Sequence, residues 1–160
     1  MFTPDFLKDL RVLFVEDEEL AREKLAKLLS KLFKEVVLAS NGLDGLEKYQ
    51  KSKATNEKID LIISDINMPI LNGLEMLERI RAIDPYVPLI FTTARSETDN
   101  LLRAIDLNVS NYIIKPIDTI IGILKSYDLV NLKTSINLAN KFFELSKIIK
   151  SKLLTSPSNK

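Results

Sequence analysis

The chain has 160 residues, room for one domain with a sizeable core plus something small, and its Lys+Arg 23 against Asp+Glu 22 gives a net charge of +1. The balance is uneven, since residues 1–118 carry 16 basic and 20 acidic groups, a net of −4, whereas residues 119–160 carry 7 and 2, a net of +5. With no Cys and no His, disulfides, thiolate and imidazole metal sites, Ser-His catalysis and phosphohistidine chemistry on this chain are excluded, which leaves carboxylates, hydroxyls and amines.

No segment approaches the unbroken apolar length of a membrane span, and Met1-Phe2-Thr3-Pro4-Asp5 lacks the basic and apolar regions of a signal peptide, so a cytoplasmic protein is expected. Arg11-Val12-Leu13-Phe14-Val15 is a short β-rich run ending in Glu16-Asp17-Glu18-Glu19, and a helix with Leu20, Leu25, Leu28, Leu29 and Leu32 on one face follows. Next come the strand Val36-Val37-Leu38-Ala39, the turn Ser40-Asn41-Gly42, a helix from about Leu43 to Lys51, and a polar loop from Lys51 to Lys58. Ile59 to Ser64 reads as the third strand, and Gly73 to Ile83 as a helix that stops before Asp84-Pro85. Pro88-Leu89-Ile90-Phe91-Thr92 and Asn111-Tyr112-Ile113-Ile114 are the fourth and fifth strands, with a helix near Glu97 to Leu107 between them. This alternation argues an α/β fold with a parallel sheet and helices on both faces.

The strand ends carry the chemistry. Strand one ends in Glu16-Asp17, strand three in Asp65, strand four in Thr92-Thr93-Ala94 and strand five in Lys115-Pro116, so acids, a hydroxyl and an amine converge at the edge where open α/β sheets bind ligands. Each has a structural alternative. Asp65 can be a nucleophile, a metal ligand or the cap of the next helix; Glu16 to Glu19 can be acids favoured at a helix N-terminus. Thr93 can be a β-former or an N-cap, Lys115 a solvated surface lysine, and Tyr112 an aromatic packed at a strand edge. Coincidence of all of them at one edge is what favours a site.

Glu16-Asp17 after the first strand, Asp65-x-x-Met68-Pro69-x-x-x-Gly73, Thr93-Ala94 and Lys115-Pro116 together resemble the receiver domain of two-component response regulators, over about residues 9–125. Asn41-Gly42-x-Asp44 and Tyr112 also match. The resemblance implies a flavodoxin-like, doubly wound, five-stranded parallel sheet in the order 2-1-3-4-5, with residues 1–125 as the receiver and 126–160 as a helical extension. It implies Asp65 as phosphoacceptor, Mg²⁺ held by Asp17, Asp65 and the Asn67 backbone carbonyl with help from Glu16, Thr93 and Tyr112 as a switch pair, and Lys115 as the amine that contacts the phosphoryl group, with a cis bond before Pro116. A histidine kinase would be the donor, and the chain would be a switch rather than an enzyme. The alternative is a receiver-like interaction or dimerisation module that is never phosphorylated.

Some positions depart from the family pattern. Glu16 stands where Asp is commoner, Gly45 replaces a more usual Ala and should weaken its helix by up to roughly 1 kcal/mol, and Arg95 occupies a variable position expected near the phosphoryl entrance. Asn108-Val109-Ser110-Asn111 lacks the paired acids usual in the winged-helix DNA-binding branch, so that branch's dimer interface is not expected. Haloacid-dehalogenase-like phosphatases need a second Asp two residues past the nucleophile, where this chain has Asn67, and no Gly-x4-Gly-Lys-Ser/Thr loop is present.

After Pro116 a further helix beginning near Asp118 uses Ile120, Ile121 and Leu124. The tail continues with Leu129, Leu132 and Ile136, then Leu138, Phe142, Leu145, Ile149 and Leu153, an amphipathic helix whose other face carries Lys141, Lys147 and Lys150. It reads as a dimerising helix, a helix packed on its own receiver, or a linker; a membrane surface or acidic partner is a further reading of its lysines. Thr155 to Lys160 read as disordered. No DNA-binding domain fits in the remaining length, so output is expected through protein contact or self-association.

Overall fold

The structure is a computed structural model that describes residues 5–93, 98–109, 111–114 and 129–155, with the backbone alone described for 98–101, 111–114, 129–132, 142, 143 and 155. Ala94, Arg95, Lys115, Pro116 and its preceding peptide bond, the helix expected near Asp118, and residues 156–160 lie outside the described residues.

A short 3-10 helix (Asp5–Asp9) leads into β1 (Arg11–Val15), α1 (Glu19–Leu29), β2 (Glu35–Ala39), α2 (Gly42–Ala54), β3 (Leu61–Asp65), α3 (Gly73–Ile83), β4 (Leu89–Thr93), α4 (Thr98–Asp106), β5 (Asn111–Ile114) and a long helix, α5 (Leu129–Thr155). The strands form one five-stranded sheet in the order β2-β1-β3-β4-β5, and every neighbouring pair is parallel. This is the doubly wound arrangement expected from the alternation of elements.

The three central strands, β1, β3 and β4, are buried almost throughout, as strands covered on both faces must be. Their side chains still alternate between two cores. Leu13, Val15, Ile62, Leu89 and Phe91 pack with Leu46, Tyr49, Leu74, Met76, Leu77 and Ile80 of α2 and α3. Val12, Phe14, Leu61, Ile63 and Ile90 pack with Leu25 and Leu29 of α1 and with Ile136 of α5. Burying each such side chain is worth about 1.5–3 kcal/mol, and the two cores together hold the strand ends in register.

Four local expectations change. Leu20 is exposed rather than on the buried stripe of α1, because at about 100° per residue it lies roughly 140–180° around the helix from buried Leu25 and Leu29; Leu32 is buried but follows the end of the helix. α2 runs on to Ala54, through residues that read as loop, because Tyr49 and Ser52 on its last turns are buried against the body. β3 begins at Leu61, two residues late, since Ile59 packs into the core ahead of the ladder. Gly45 has a packing reason: a Cβ there would lie 2.8 Å from the Met76 sulfur and 3.0 Å from a Val15 methyl, so the absent side chain lets α2 close on β1 and α3.

α5 meets the body at the edge opposite the strand C-termini. Ile136 and Ala139 are buried, Lys133 lies over the Phe6 ring, and the Lys58 ammonium donates to the Asn140 side-chain carbonyl. Phe6 precedes β1 and Lys58 precedes β3, so this is the N-terminal edge of the sheet. No described helix is long and apolar enough to cross a membrane.

The acidic cluster at the carboxyl edge of the sheet

Because the strands are parallel, all their C-termini lie at one edge. β3 ends on Asp65, paired in register with Thr92 of β4, and the next β4 residue is Thr93. β1 ends at Val15, so Glu16 and Asp17 lead the chain out over the same edge toward α1. Carboxylate oxygens of Glu16, Asp17 and Asp65 lie within 4.8 Å of one another, with Glu16 and Asp65 buried and Asp17 exposed. Three like charges this close repel unless a cation joins them, and an all-oxygen set with one exposed member suits a hard divalent ion.

The loops around the cluster are fixed by the backbone. The Ile66 amide donates to Asp65 Oδ1 at 2.7 Å, and the Glu18 amide donates to Glu16 Oε1 at 3.2 Å. Gly73 donates its amide to the Ile66 carbonyl at 2.8 Å, drawing the start of α3 against the end of β3. A Cβ on Gly73 would sit 2.2 Å from the Asp65 carbonyl oxygen, so only glycine permits this approach. Asn72, not Asp65, caps α3: its Oδ1 accepts from the Glu75 amide at 2.9 Å while its Nδ2 donates to Glu75 Oε1 at 3.0 Å. The reading of Asp65 as the helix cap therefore falls. Glu18 is the N-cap residue of α1 but makes no side-chain cap bond, and Glu19 is the acid in its first turn, so the structural reading of Glu16 to Glu19 applies to Glu19 rather than to buried Glu16.

Asn67 is exposed two residues past Asp65, and Thr93 is buried at the tip of β4. For Tyr112 the description covers only its backbone, in β5 beside Phe91; Lys115 lies outside the described residues. Arg22 is a participant that the sequence reading did not single out. From the first turns of α1 its guanidinium donates to the carbonyls of Glu16 at 2.9 Å and Asp17 at 3.4 Å, bracing the acidic loop from beneath. Its only sequence signal is an Arg about one helical turn into α1.

The response regulator receiver domain matches residues 12–124 of this chain. Chemotaxis protein CheY of Treponema pallidum is 34% identical over 109 residues, spanning 68% of this chain and 74% of that protein. The transcriptional regulatory protein DltR of Streptococcus agalactiae is 37% identical over 109 residues, and there the matched part is 46% of the relative's length. Among solved structures, the N-terminal domain of an uncharacterized protein from Wolinella succinogenes superposes with a TM-score of 0.62 at 33% identity, covering 86% of this chain and 98% of that one. Response regulator protein TrrA of Thermotoga maritima, solved in complex with Mg²⁺ and beryllium fluoride, gives 0.58 at 31% identity, covering 68% and 88%. Match length, identity and sheet order agree, and the chain belongs to the response regulator receiver domain family.

Proposed function

We propose that the chain is a phosphorylation-controlled switch of two-component signal transduction, with Asp65 as phosphoacceptor and a histidine kinase as donor. The observation that carries this reading is the convergence of Glu16, Asp17 and Asp65 from two different strands within 4.8 Å at the carboxyl edge. In the proposed step an Asp65 carboxylate oxygen attacks the phosphorus of a phosphohistidine. An acyl O–P bond forms, the P–N bond breaks, and the imidazole leaves with its proton restored from solvent.

Asp65 and an incoming phosphoryl group are both anionic, so the step needs positive charge. Mg²⁺, which Asp17, Asp65 and the Asn67 carbonyl would hold with help from Glu16, would supply it. Lys115 follows β5 directly in sequence and would contribute a second positive charge to the phosphoryl oxygens. Thr93 stands one residue beyond the register partner of Asp65, which suits a hydroxyl that donates to a phosphoryl oxygen. Drawing Thr93 and its loop inward would open room for Tyr112 to turn in, a population shift read on the α4 and β5 side. The output is then a protein contact, with a downstream target or with a second copy through this side and α5. Direct DNA contact forms no part of the reading.

Intact mass after incubation with Mg²⁺ and acetyl phosphate tests it. The expected result is one added phosphoryl group, absent in Asp65→Asn and absent without Mg²⁺. No phosphoryl uptake, together with no binding of beryllium fluoride, overturns the switch and leaves a receiver-like interaction module.

A further inference from the structure

α5 has two apolar faces, and the body uses one of them. Ile136 and Ala139 are buried on that face, next to the anchor that Lys58 makes to Asn140. Leu138, Leu145, Ile149 and Leu153 follow the helix in steps of seven, four and four residues, which puts them in a stripe centred about 110° around the helix from the buried face. They are 53–72% exposed, and the stripe runs for about 22 Å.

We propose that this stripe is an interface and that its occupant is the same stripe on a second copy of the chain. The proposal deepens the self-association arm of the function above. It rests on that reading for its regulation only, and none of its residues belongs to the acidic cluster. Leu145, Ile149 and Leu153, each four residues from the next, form a ridge of the kind that packs into the grooves of another helix, so the surface that fits the stripe is a helix of like spacing, which a second copy supplies through a self-complementary contact. The exposed stripe, with Ile148 at its flank, amounts to several hundred Å² of apolar surface; two copies together would bury roughly 1,000 Å², where specific interfaces begin. A membrane surface fits less well, because exposed Leu154 lies on the other side of α5 with Lys147 and Lys150, and an interfacial helix keeps its two faces apart.

Light scattering after size exclusion of the full chain over a range of concentrations tests the proposal. Wild type should reach twice its 18.2 kDa mass, and Leu145→Glu with Ile149→Glu should remain at 18.2 kDa. Leu145→Ala with Ile149→Ala, which favours helix, should weaken dimerisation at least tenfold, so that loss of the dimer is not loss of the helix. Leu154→Glu, on the other side of α5, should dimerise as wild type does. A wild type that stays at 18.2 kDa, a double Glu variant that still dimerises, or a monomer that sediments with anionic vesicles overturns the proposal. Phosphoryl uptake by a chain that stays monomeric removes this interface and leaves the switch standing; a dimer that takes up no phosphoryl group does the reverse.

Discussion

The Tyr49 hydroxyl donates a 2.7 Å hydrogen bond to Asp84 Oδ2, joining α2 to the residue that ends α3. Lys53 reaches the same oxygen at 3.0 Å, and the amides of Tyr86 and Val87 donate to Oδ1 at 2.9 and 3.1 Å. The pair is buried at the sheet edge opposite the acidic cluster, so it bears on stability rather than on the chemistry of Asp65. Tyr49→Phe keeps the ring and removes a donor to a buried carboxylate. It should cost about 1–3 kcal/mol in urea denaturation while leaving phosphoryl uptake unchanged.

The same pair sets an acid limit. Burial opposes the charge on Asp84, but the Tyr49 hydroxyl, the Tyr86 amide and Lys53 together outweigh it and hold the carboxyl below its ordinary value of 3.8. The folded state thus favours the carboxylate. Its stabilising contribution is complete above pH 3.8 and is lost as pH falls from there through the lower folded value. Thermal melts between pH 7 and 3 should show this fall in the wild type and a flatter profile in Asp84→Asn.

Asp60 runs the other way. Burial raises its pKa above 3.8 and outweighs the opposing effect of the Arg11 amide, which donates to Oδ2 at 2.9 Å. Its ionised form is therefore a cost in the folded state, complete above the raised folded value, shrinking as pH falls through it and absent below 3.8. Asn keeps an oxygen for the Arg11 amide. Asp60→Asn should raise the melting temperature at pH 7, and the gain should vanish at low pH; an equal gain at every pH would place the effect elsewhere.

Much of this architecture is legible in the chain, for identifiable reasons. Buried parallel strands are continuous apolar runs, and the three strand-to-helix turns that lie within the described residues announce themselves by Glu16-Asp17, Asn41-Gly42 and Asn67-Met68-Pro69, so element order and the carboxyl-edge acids follow from sequence alone. Leu20 misled because it was grouped with leucines five and nine residues on, which lie roughly 140–180° around the helix from it. The length of α2 was hidden because Tyr49 and Ser52 look polar until their partners, Asp84 and a backbone carbonyl, are known. Asn72 and Arg22 were overlooked because capping and carbonyl bracing depend on chain geometry that spacing does not encode.

Ile70 carries backbone strain beside the acidic cluster. Its φ of 73° lies in the left-handed region, where a β-branched side chain is crowded, and the side chain is exposed. Left-handed conformation costs a non-glycine residue roughly 1–2 kcal/mol, and no buried packing offsets it here. Ile70→Gly should therefore stabilise the protein, by less than that figure because glycine also loosens the unfolded chain. An unchanged or lower stability would mean that the isoleucine is held by contacts outside the acidic loop.

The acidic cluster should trade stability for cation binding. Like charges about 4 Å apart repel by about 1 kcal/mol in water-like surroundings and by more as the dielectric falls, and Glu16 and Asp65 are both buried. Without divalent cations, Asp17→Asn and Glu16→Gln should each melt higher than wild type. Glu16→Gln keeps an oxygen for the Glu18 amide, so its gain reports charge and not a broken loop. With Mg²⁺ the order should reverse, because an ion that binds only the folded state stabilises it by RT ln(1 + [Mg²⁺]/Kd), and the variants bind it more weakly. Asp5→Asn, an exposed acid in the leading 3-10 helix, is the control and should change neither quantity. Melting temperatures across a Mg²⁺ titration read both effects at once: wild-type and Asp5→Asn curves that rise while those of Asp17→Asn and Glu16→Gln stay flatter support the cluster as the cation site, and equal rises in all four proteins place the ion elsewhere.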